Sequence, residues 1–407
     1  MLRRSGSLTA ARALPALALG ALVVLAACVS SPAADVTAPP AATPRPCAYD
    51  YTRPRVNPAR VCPEIVLNEL VAGGVISVGS LAFDPGGALY VARPAQGRVD
   101  VLADADGDGL MDAPRPFAEA LDTPFGLAYH EGALYVTGAG KVYRLRDLDG
   151  DGRADARAVL IDDLPAGAGY WTNSVGVGPD GRLYVSQGAS CDACEEADPR
   201  RGAILSYALD GSDARVIARG LHNPIDFAWH PVTGELWATE SSRHMDKADD
   251  LPPDELNRIA PGAHYGWPFC YGDRVVDAAV LGASAAFCET TAPPALTFPA
   301  RATPAGMAFY QGDAFPEMRG HLLVVTGGSW NRSRASGYEW LLVKFGADGA
   351  PTGEIERLAP YGPEESWLLS EIDTSFYPEH LVDVAVSPEG WVYLAVQEGL
   401  VFRFWPK

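Results

Sequence analysis

The segment GSLAFDPGGALYVA, residues 79–92, places two runs of alternating apolar residues around a turn that contains Gly86 and Gly87. Alternation at a period of two is typical of half-buried β-strands, and the turn between the runs predicts a hairpin. The same pattern recurs along the chain, each time followed by a further strand-like run such as GRVDVL at residues 97–102. The later copies begin at Phe125, Asn173, Ile225, Ala305 and Val382.

These repeats predict an all-β fold, a six-bladed β-propeller with about four strands in each blade, over residues 47–407. One blade alone would expose an apolar face, which a neighbouring blade buries. The spacing widens between the later repeats, so long loops are expected on those blades, and loops on a rigid scaffold commonly carry function. A β-sandwich with loop insertions is the structural alternative.

The N-terminus predicts an exported lipoprotein. Basic residues precede an apolar stretch from Ala13 to Ala27, which is too short to span a membrane and fits a secretory signal peptide at residues 1–27. The ending LAAC resembles a bacterial lipobox, in which Cys28 is lipidated; ordinary signal cleavage is the alternative. Residues 28–46, rich in Pro, Ala and Thr, are expected to form a tether. We therefore expect a protein anchored by lipid to a bacterial membrane, facing the periplasm or the cell exterior.

The remaining cysteines suit an oxidising compartment. They lie in three pairs that are close in sequence, and each pair is expected to form a disulfide. The pairs are Cys47/Cys62, Cys191/Cys194 and Cys270/Cys288. For Cys191 and Cys194, half of a zinc site or a redox dithiol is the alternative.

Acidic residues outnumber basic ones by 51 to 32, which gives a formal net charge of −19. A surface of this sign repels phosphate backbones, so nucleic acid is excluded as an expected partner.

Two loops share the pattern DxDxDGxxD, DADGDGLMD at residues 104–112 and DLDGDGRAD at residues 147–155. Closely spaced aspartates with a backbone carbonyl between them supply the hard oxygen ligands that Ca²⁺ prefers, so each loop predicts a structural calcium site. The alternative is two acidic turns without metal. The predicted ligands are Asp104, Asp106, Asp108, Asp112, Asp147, Asp149, Asp151 and Asp155.

Three segments resemble the glucose/sorbosone dehydrogenase family: GLHNPIDFAWHPVTGELWATE at residues 220–240, DELNRIAPGAHYGWP at 254–268 and GSWNRS at 328–333. The resemblance runs through the blades, and the lipoprotein start suits the sorbosone-dehydrogenase-like branch. Members of the family are six-bladed propellers that hold pyrroloquinoline quinone (PQQ) and Ca²⁺ on one face and oxidise sugars. The resemblance therefore implies PQQ and Ca²⁺ as cofactors, a sugar as substrate and an electron acceptor as partner.

Such an enzyme needs a base that takes the hydroxyl proton while a hydride moves to the quinone. The family's base histidine corresponds to Tyr170, which is followed by a matching Asn173. The family's Arg-Asn-Pro-x-Gly motif corresponds to HNPID at residues 222–226. The resemblance thus places Tyr170 at the catalytic position, with His222 as a substitute base, and places Asn173 and Asn223 at the cofactor.

Other positions of the family's site match in part. Asp254 corresponds to a carboxylate on the sugar side, and Arg332 could meet a cofactor carboxylate with two hydrogen bonds. Residues 241–244 replace a Gly/Pro-rich turn that offers carbonyls to Ca²⁺, and His380 and Asp383 depart from the family's pattern in the last blade. The resemblance also assigns to the cofactor site Trp330 and Asn331.

The sequence leaves three functions open. The resemblance favours a PQQ-dependent sugar dehydrogenase. The departures at Tyr170, His222 and Asp226 favour a non-catalytic, lipid-anchored propeller that binds a sugar or a protein. The third is a Ca²⁺-dependent lactonase-like hydrolase that uses Asn173, Asn223 and Glu240 as ligands around the central channel.

Overall fold

The computed structural model of the chain describes residues 47, 54–71, 75–245, 249–329, 332–333, 335–362 and 379–407. In these ranges the protein is almost entirely β, with six four-stranded antiparallel sheets arranged in a ring. The six-bladed propeller predicted from the repeats is therefore confirmed. The predicted signal peptide, Cys28 and the tether lie outside the described residues.

The first strand, β1 (Val61–Asn68), belongs to the last blade, and the other strands follow in blade order. Blade one consists of β2 (Leu81–Phe83), β3 (Leu89–Arg93), β4 (Arg98–Leu102) and β5 (Arg115–Ala118). Blade two consists of β6 (Leu127–His130), β7 (Ala133–Gly138), β8 (Lys141–Arg146) and β9 (Ala156–Ile161). Blade three consists of β10 (Val175–Val177), β11 (Leu183–Gln187), β12 (Ala203–Tyr207) and β13 (Arg215–Arg219).

Blade four carries the longest insertion. It consists of β14 (Asn223–Trp229), β15 (Leu236–Ser241), β16 (Asp254–Ile259) and, after the insertion, β19 (Leu296–Phe298). The insertion contains the two-stranded sheet β17 (Cys270–Tyr271) and β18 (Val275–Val276) and the short helix α1 (Ala285–Cys288). Blade five consists of β20 (Pro304–Phe309), β21 (Leu322–Thr326), β22 (Glu339–Phe345) and β23 (Pro351–Ala359).

Blade six consists of β24 (Leu381–Val386), β25 (Val392–Val396) and β26 (Leu400–Pro406), and β1 is its outer strand. Strand β1 runs antiparallel to β26, with Val61 opposite Pro406 and Asn68 opposite Leu400. The two ends of the propeller thus share one sheet. This pairing fastens the ring, because the last blade cannot be completed without the first strand.

The apolar core lies between neighbouring blades, as stacking of half-buried sheets requires. Leu89 and Val91 of blade one pack in one cluster with Tyr393 of blade six. Trp237 of blade four packs in the same way with Leu322 of blade five. Each large apolar side chain buried like this stabilises the fold by about 1.5–3 kcal/mol.

Three disulfides are present, and they are the three predicted pairs: Cys47–Cys62, Cys191–Cys194 and Cys270–Cys288. The last of them closes the insertion of blade four by joining β17 to α1.

Asp226 and Asp383, which depart from the family's pattern, connect the innermost strands of different blades. Asp226 accepts hydrogen bonds from the hydroxyl of Ser174 in blade three, at 2.6 Å, and from the amide of Met307 in blade five, at 2.8 Å. Asp383 accepts from the amide of Leu81 in blade one, at 2.6 Å. Burial raises the pKa of both carboxyls, and the nearby Asp226 raises that of Asp383 further. These two aspartates therefore help to close the ring.

The innermost strands approach so closely that one glycine has no room for a side chain. A Cβ on Gly126 would lie 2.4 Å from the carbonyl oxygen of Asn173 in the next blade. We expect Gly126→Ala to lower the free energy of unfolding by about 1–3 kcal/mol, because the blades must move apart to accept the methyl group. Chemical denaturation measures the change. Gly86→Ala in an exposed turn is the control, and equal effects of the two substitutions would contradict the steric reason.

Candidate functional site

An open cavity of about 230 Å³ lies where loops from all six blades meet. Its walls come from the residues just before each innermost strand and just after the second strand. In an antiparallel pair these two positions lie at the same edge of the sheet, so the hairpin repeats bring them together. One lining residue from each blade in turn is Ile76, Phe125, Tyr170, Asn223, Thr303 and His380.

His222, the predicted substitute base, lies beneath this cavity rather than in its wall. It is 1% exposed, and its ring packs edge-on against that of Tyr170, with the centroids 4.5 Å apart. Nδ1 lies 2.8 Å from the carbonyl oxygen of Ser241 and must donate to it, which places the proton on Nδ1. Nε2 has no hydrogen-bond partner among the described residues. Burial lowers the pKa of His222 to about 4, so the imidazole is neutral at pH 7.

Tyr170 does line the cavity, at the position of the family's base histidine. Burial, and then the neighbouring Asp192 carboxylate, raise the pKa of its hydroxyl to about 12. The phenol is therefore protonated at neutral pH, and its O–H is a hydrogen-bond donor. The family's histidine at this position accepts a proton, whereas the protonated hydroxyl of Tyr170 can only donate a hydrogen bond with its O–H.

The two predicted cofactor asparagines differ in placement. Asn223 lines the cavity, and its side-chain oxygen has no hydrogen-bond partner among the described residues. A Cβ on Gly188 would lie 2.8 Å from that oxygen and 2.6 Å from the Cβ of Tyr170, so a glycine at 188 leaves room for both side chains. Asn173 is buried and donates to the side chain of Gln187 at 2.8 Å, outside the cavity wall.

Asp254 is placed differently from its predicted position beside the sugar. It is fully buried, and its two carboxylate oxygens accept the backbone amides of Ser242 at 2.9 Å and Thr303 at 2.7 Å. Burial raises its pKa to about 7. With both oxygens engaged, Asp254 holds the loop after β15 to the start of blade five, and among the described residues it is not one of those that line the cavity.

Arg332 also turns away from the cavity wall. Its guanidinium donates to the carbonyl oxygens of Asp249 and Ala300, both at 2.6 Å, and pairs with the Asp250 carboxylate at 3.0 Å. These contacts tie the segment after β21 to the loop of blade four. Trp330 and Asn331, which the resemblance assigns to the cofactor, lie outside the described residues.

A buried pair of carboxylates lies beside His222. Glu240 on β15 faces Glu255 on β16 across the ladder, and the side-chain amide of Asn257 donates to both at 3.0 Å. The oxygen of Asn257 has no partner among the described residues. Burial, and then Glu255, raise the pKa of Glu240 well above its usual range, and burial raises that of Glu255 to about 7. Two carboxylates and an amide oxygen here suit a proton or a hard cation.

The best-oriented histidine of the cavity is His380 of blade six. It lines the cavity, and its Nδ1 lies 2.6 Å from the carboxylate of Glu398. The other oxygen of Glu398 accepts the backbone amide of His380 at 2.9 Å. A carboxylate that holds Nδ1–H fixes the ring and leaves Nε2 as the nitrogen that can exchange a proton. Sequence reasoning noted His380 only as a departure from the family and missed Glu398.

The two aspartate loops have the compact form that was predicted. In each loop three carboxylates place one oxygen apiece within 4.8 Å of the others. The fourth aspartate closes the loop: Asp112 accepts the amide of Ala105 at 3.0 Å, and Asp155 accepts that of Leu148 at 2.7 Å. Calcium binding by these loops stays a prediction. The three-carboxylate sets are Asp104, Asp106, Asp108 and Asp147, Asp149, Asp151.

Comparison with known families identifies the class. The family described as Glucose / Sorbosone dehydrogenase matches residues 127–328, and this match supports the resemblance noted in the sequence. An uncharacterized protein of Borreliella burgdorferi is 25% identical over 236 residues, which cover 54% of this chain and 61% of that protein. Aldose sugar dehydrogenase YliI of Escherichia coli is 28% identical over 115 residues, 28% of this chain and 29% of that protein. The matched regions thus span less than two thirds of these relatives.

Solved structures share the fold. The calcium structure of Trichoderma reesei Carbohydrate-Active Enzymes Family AA12 is 20% identical, with a TM-score of 0.71 over 88% of this chain and 98% of that one. The holo PQQ domain of pyranose dehydrogenase from Coprinopsis cinerea is 18% identical, with a TM-score of 0.66 over 87% and 98%. The PQQ-bound aldose sugar dehydrogenase of Streptomyces coelicolor is 18% identical, with a TM-score of 0.58 over 86% and 99%.

No helix within the described ranges is long and apolar enough to cross a membrane.

Proposed function

We propose that this protein is a PQQ-dependent sugar dehydrogenase in which His380, held by Glu398, is the base. The observation that carries the proposal is the carboxylate-bound histidine in the wall of a cavity formed by all six blades. His222 is the weaker base, because it is buried beneath Tyr170 and does not line that cavity. The expected signal peptide and Cys28 anchor would place the reaction outside the cytoplasm, at a membrane surface.

The cavity suits PQQ, a flat quinone with a pyrrole N–H and three carboxylates. The side-chain oxygen of Asn223 has no hydrogen-bond partner among the described residues, so it could accept a hydrogen bond from the pyrrole N–H of PQQ. Hydroxyl donors in the wall match carboxylate oxygens, and aromatic rings provide flat packing surfaces. The described residues that would hold the group are Phe125, Tyr170, Trp171, Thr172, Asn223, Ser241 and Thr303.

A calcium ion fits the cluster of Glu240, Glu255 and Asn257. The two carboxylates repel each other in a buried setting, and the amide oxygen of Asn257 is unpartnered. A divalent cation there would neutralise the pair. Because the cluster lies next to Ser241 and Ser242, it would also brace the loop that lines the cavity.

The chemistry proposed for the chain's own residues follows from the hydrogen-bonded pair of His380 and Glu398. When bound, PQQ supplies the acceptor for the hydride that leaves the sugar carbon bearing the reacting hydroxyl. His380 takes the proton of that hydroxyl on Nε2, so the carbinol becomes a carbonyl as the proton and the hydride leave. Glu398 keeps the proton on Nδ1 and stabilises the imidazolium that forms. Thr172 orients the sugar from the facing wall as a hydrogen-bond donor.

The geometry gives less support to a lactonase. Two of the three proposed ligands already have protein partners: the Asn173 amide donates to Gln187 at 2.8 Å, and Glu240 accepts the backbone amide of His222 at 2.7 Å.

Reconstitution tests the proposal. The mature protein is incubated with PQQ and Ca²⁺ and assayed with a panel of aldoses and a dye acceptor, alongside a panel of lactones. We expect dye reduction that requires both PQQ and an aldose. Sugar binding without turnover would support the binding protein, and lactone hydrolysis with Ca²⁺ but no PQQ uptake would support the hydrolase. Either result would overturn the proposal.

A further inference from the structure

The loop closed by the Cys191–Cys194 disulfide carries Asp192 to the boundary between blades three and four. The carboxylate of Asp192 lies close enough to the Tyr170 hydroxyl to raise its pKa, and it accepts the backbone amide of His244 at 2.7 Å. Tyr170 and His244 both line the cavity. One side chain therefore ties together two parts of the cavity wall that come from different blades.

Further contacts fix Asp192 itself. Its backbone carbonyl accepts the indole N–H of Trp267 at 2.9 Å. Its carboxylate lies 3.6 Å from Nη1 of Arg243 and 3.6 Å from Nε2 of His222. These two separations are too long for hydrogen bonds, but the cation of Arg243 still attracts the carboxylate. Arg243 is in turn held by Asp277, which accepts its Nε–H at 2.5 Å.

The charges and the backbone restraint have a common effect. A carboxylate that accepts a backbone amide makes a stronger hydrogen bond than a neutral acceptor does. The disulfide joins residues three apart in sequence and so restricts the backbone on both sides of Asp192. Without that restraint, the loop would have more conformations in which the carboxylate misses its partners.

We propose that Asp192 is a positioning residue for the cavity, and that the Cys191–Cys194 disulfide holds it in place. It fixes the backbone at His244, beside Tyr170, so that the wall facing His380 is formed before the sugar binds. The catalytic consequence rests on the proposed function, whereas the positioning itself does not. Glu195 in the same loop is exposed and provides a control of equal charge.

Amide hydrogen exchange of the apo protein tests the positioning directly. In Asp192→Ala, exchange of the His244 amide is expected to be about tenfold faster, because a charge-assisted hydrogen bond is lost. Asp192→Asn keeps an oxygen for that amide and is expected to restore most of the protection. In the double variant Cys191→Ser/Cys194→Ser, exchange of the His244 amide is also expected to be faster than in the wild-type protein. Unchanged exchange in Asp192→Ala, or equal acceleration in Glu195→Ala, would overturn the role of Asp192; unchanged exchange in the double variant would overturn the role of the disulfide.

Kinetics of the protein loaded with PQQ and Ca²⁺ test the consequence. Asp192→Ala is expected to raise the KM for the sugar about tenfold and to change kcat by less than about threefold, because the His380–Glu398 pair is untouched. A fall in kcat with unchanged KM would contradict a positioning role. If wild-type protein oxidises no sugar, the proposed function fails, and the exchange measurement still decides whether Asp192 orders the cavity.

Discussion

Replacement of His380 with asparagine is expected to lower kcat for sugar oxidation by about 10²–10⁴-fold, the range that a positioned proton acceptor contributes. Asparagine keeps the polar character and approximate size of the side chain but has no nitrogen that can accept a proton. PQQ content is expected to stay at the wild-type level, because the proposed role of His380 is proton transfer rather than cofactor binding. Steady-state dye reduction gives kcat, and the absorbance of the same sample gives its PQQ content.

Three further variants sharpen this test. Glu398→Gln is expected to give a smaller loss than His380→Asn, since the histidine remains but its Nδ1–H loses an anionic acceptor. His130→Asn is the control, because that histidine lies in blade two with its side chain 35% exposed. His222→Asn separates the two candidate bases. A large loss in His222→Asn with near-normal kcat in His380→Asn would show that the assignment of the base is wrong.

The second large effect concerns stability and calcium. In EDTA, the unfolding temperature is expected to fall by several degrees as the pH is raised from about 5 to about 8. Burial raises the pKa of Glu255 from 4.5 to about 7 and that of Asp254 from 3.8 to about 7. Groups with a raised pKa bind more protons in the folded state. Each group therefore stabilises the folded protein fully when the pH is below its pKa in the unfolded chain. This stabilisation, on the order of 3 kcal/mol for each group, is lost as the pH rises through the pKa in the folded protein.

Added Ca²⁺ is expected to restore much of the stability at about pH 8, because the cation neutralises the ionised Glu240–Glu255 pair. Calorimetry with and without EDTA measures both effects. In Glu255→Gln the dependence on pH is expected to become shallower and the response to Ca²⁺ smaller, whereas Glu235→Gln on the exposed side of blade four is the control. Any Ca²⁺ response that remains in Glu255→Gln reports the aspartate loops, and the double variant Asp104→Asn/Asp147→Asn should abolish it. Equal unfolding temperatures at both pH values in EDTA would contradict this account.

The architecture was predictable because the information is local. Each hairpin repeat, such as residues 79–92, contains two complete strands and their turn, so its alternation indicates the fold without knowledge of distant contacts. The disulfide pairs were predictable for the same reason, since each joins cysteines that are close in sequence. Strand β1 was not assigned to a blade, because its partner β26 lies at the other end of the chain and the hairpin repeats do not include β1.

The site was less predictable, because it depends on register and on contacts between blades. His380 and Glu398 are 18 residues apart and meet only because Leu381 is paired with Val396 at the ends of β24 and β25. Asp254 matches a motif position, yet its place at the start of β16 turns its carboxylate towards two backbone amides. Motif matching gives the position of a residue in the fold but not the direction of its side chain.

Tyr170 and Asp192 show how a departure from a family motif can be understood once contacts are known. In isolation, a tyrosine at the position of a histidine suggests a lost activity. In the structure the Asp192 carboxylate lies close enough to its hydroxyl to raise the pKa, and the histidine with a carboxylate partner lies in blade six instead. The cavity therefore retains a base, a donor and an unpartnered acceptor in Asn223, although they are distributed differently.

The most direct test of the central claim is a single turnover without an electron acceptor. Protein loaded with PQQ and Ca²⁺ is mixed anaerobically with excess aldose, and the absorbance of the quinone is followed. We expect the oxidised quinone to disappear in one exponential phase, with one sugar oxidised per cofactor, and His380→Asn to slow that phase by the factor expected for kcat. If PQQ binds stably but its absorbance spectrum is unchanged by every aldose of the panel, the claim that this cavity oxidises sugars is contradicted.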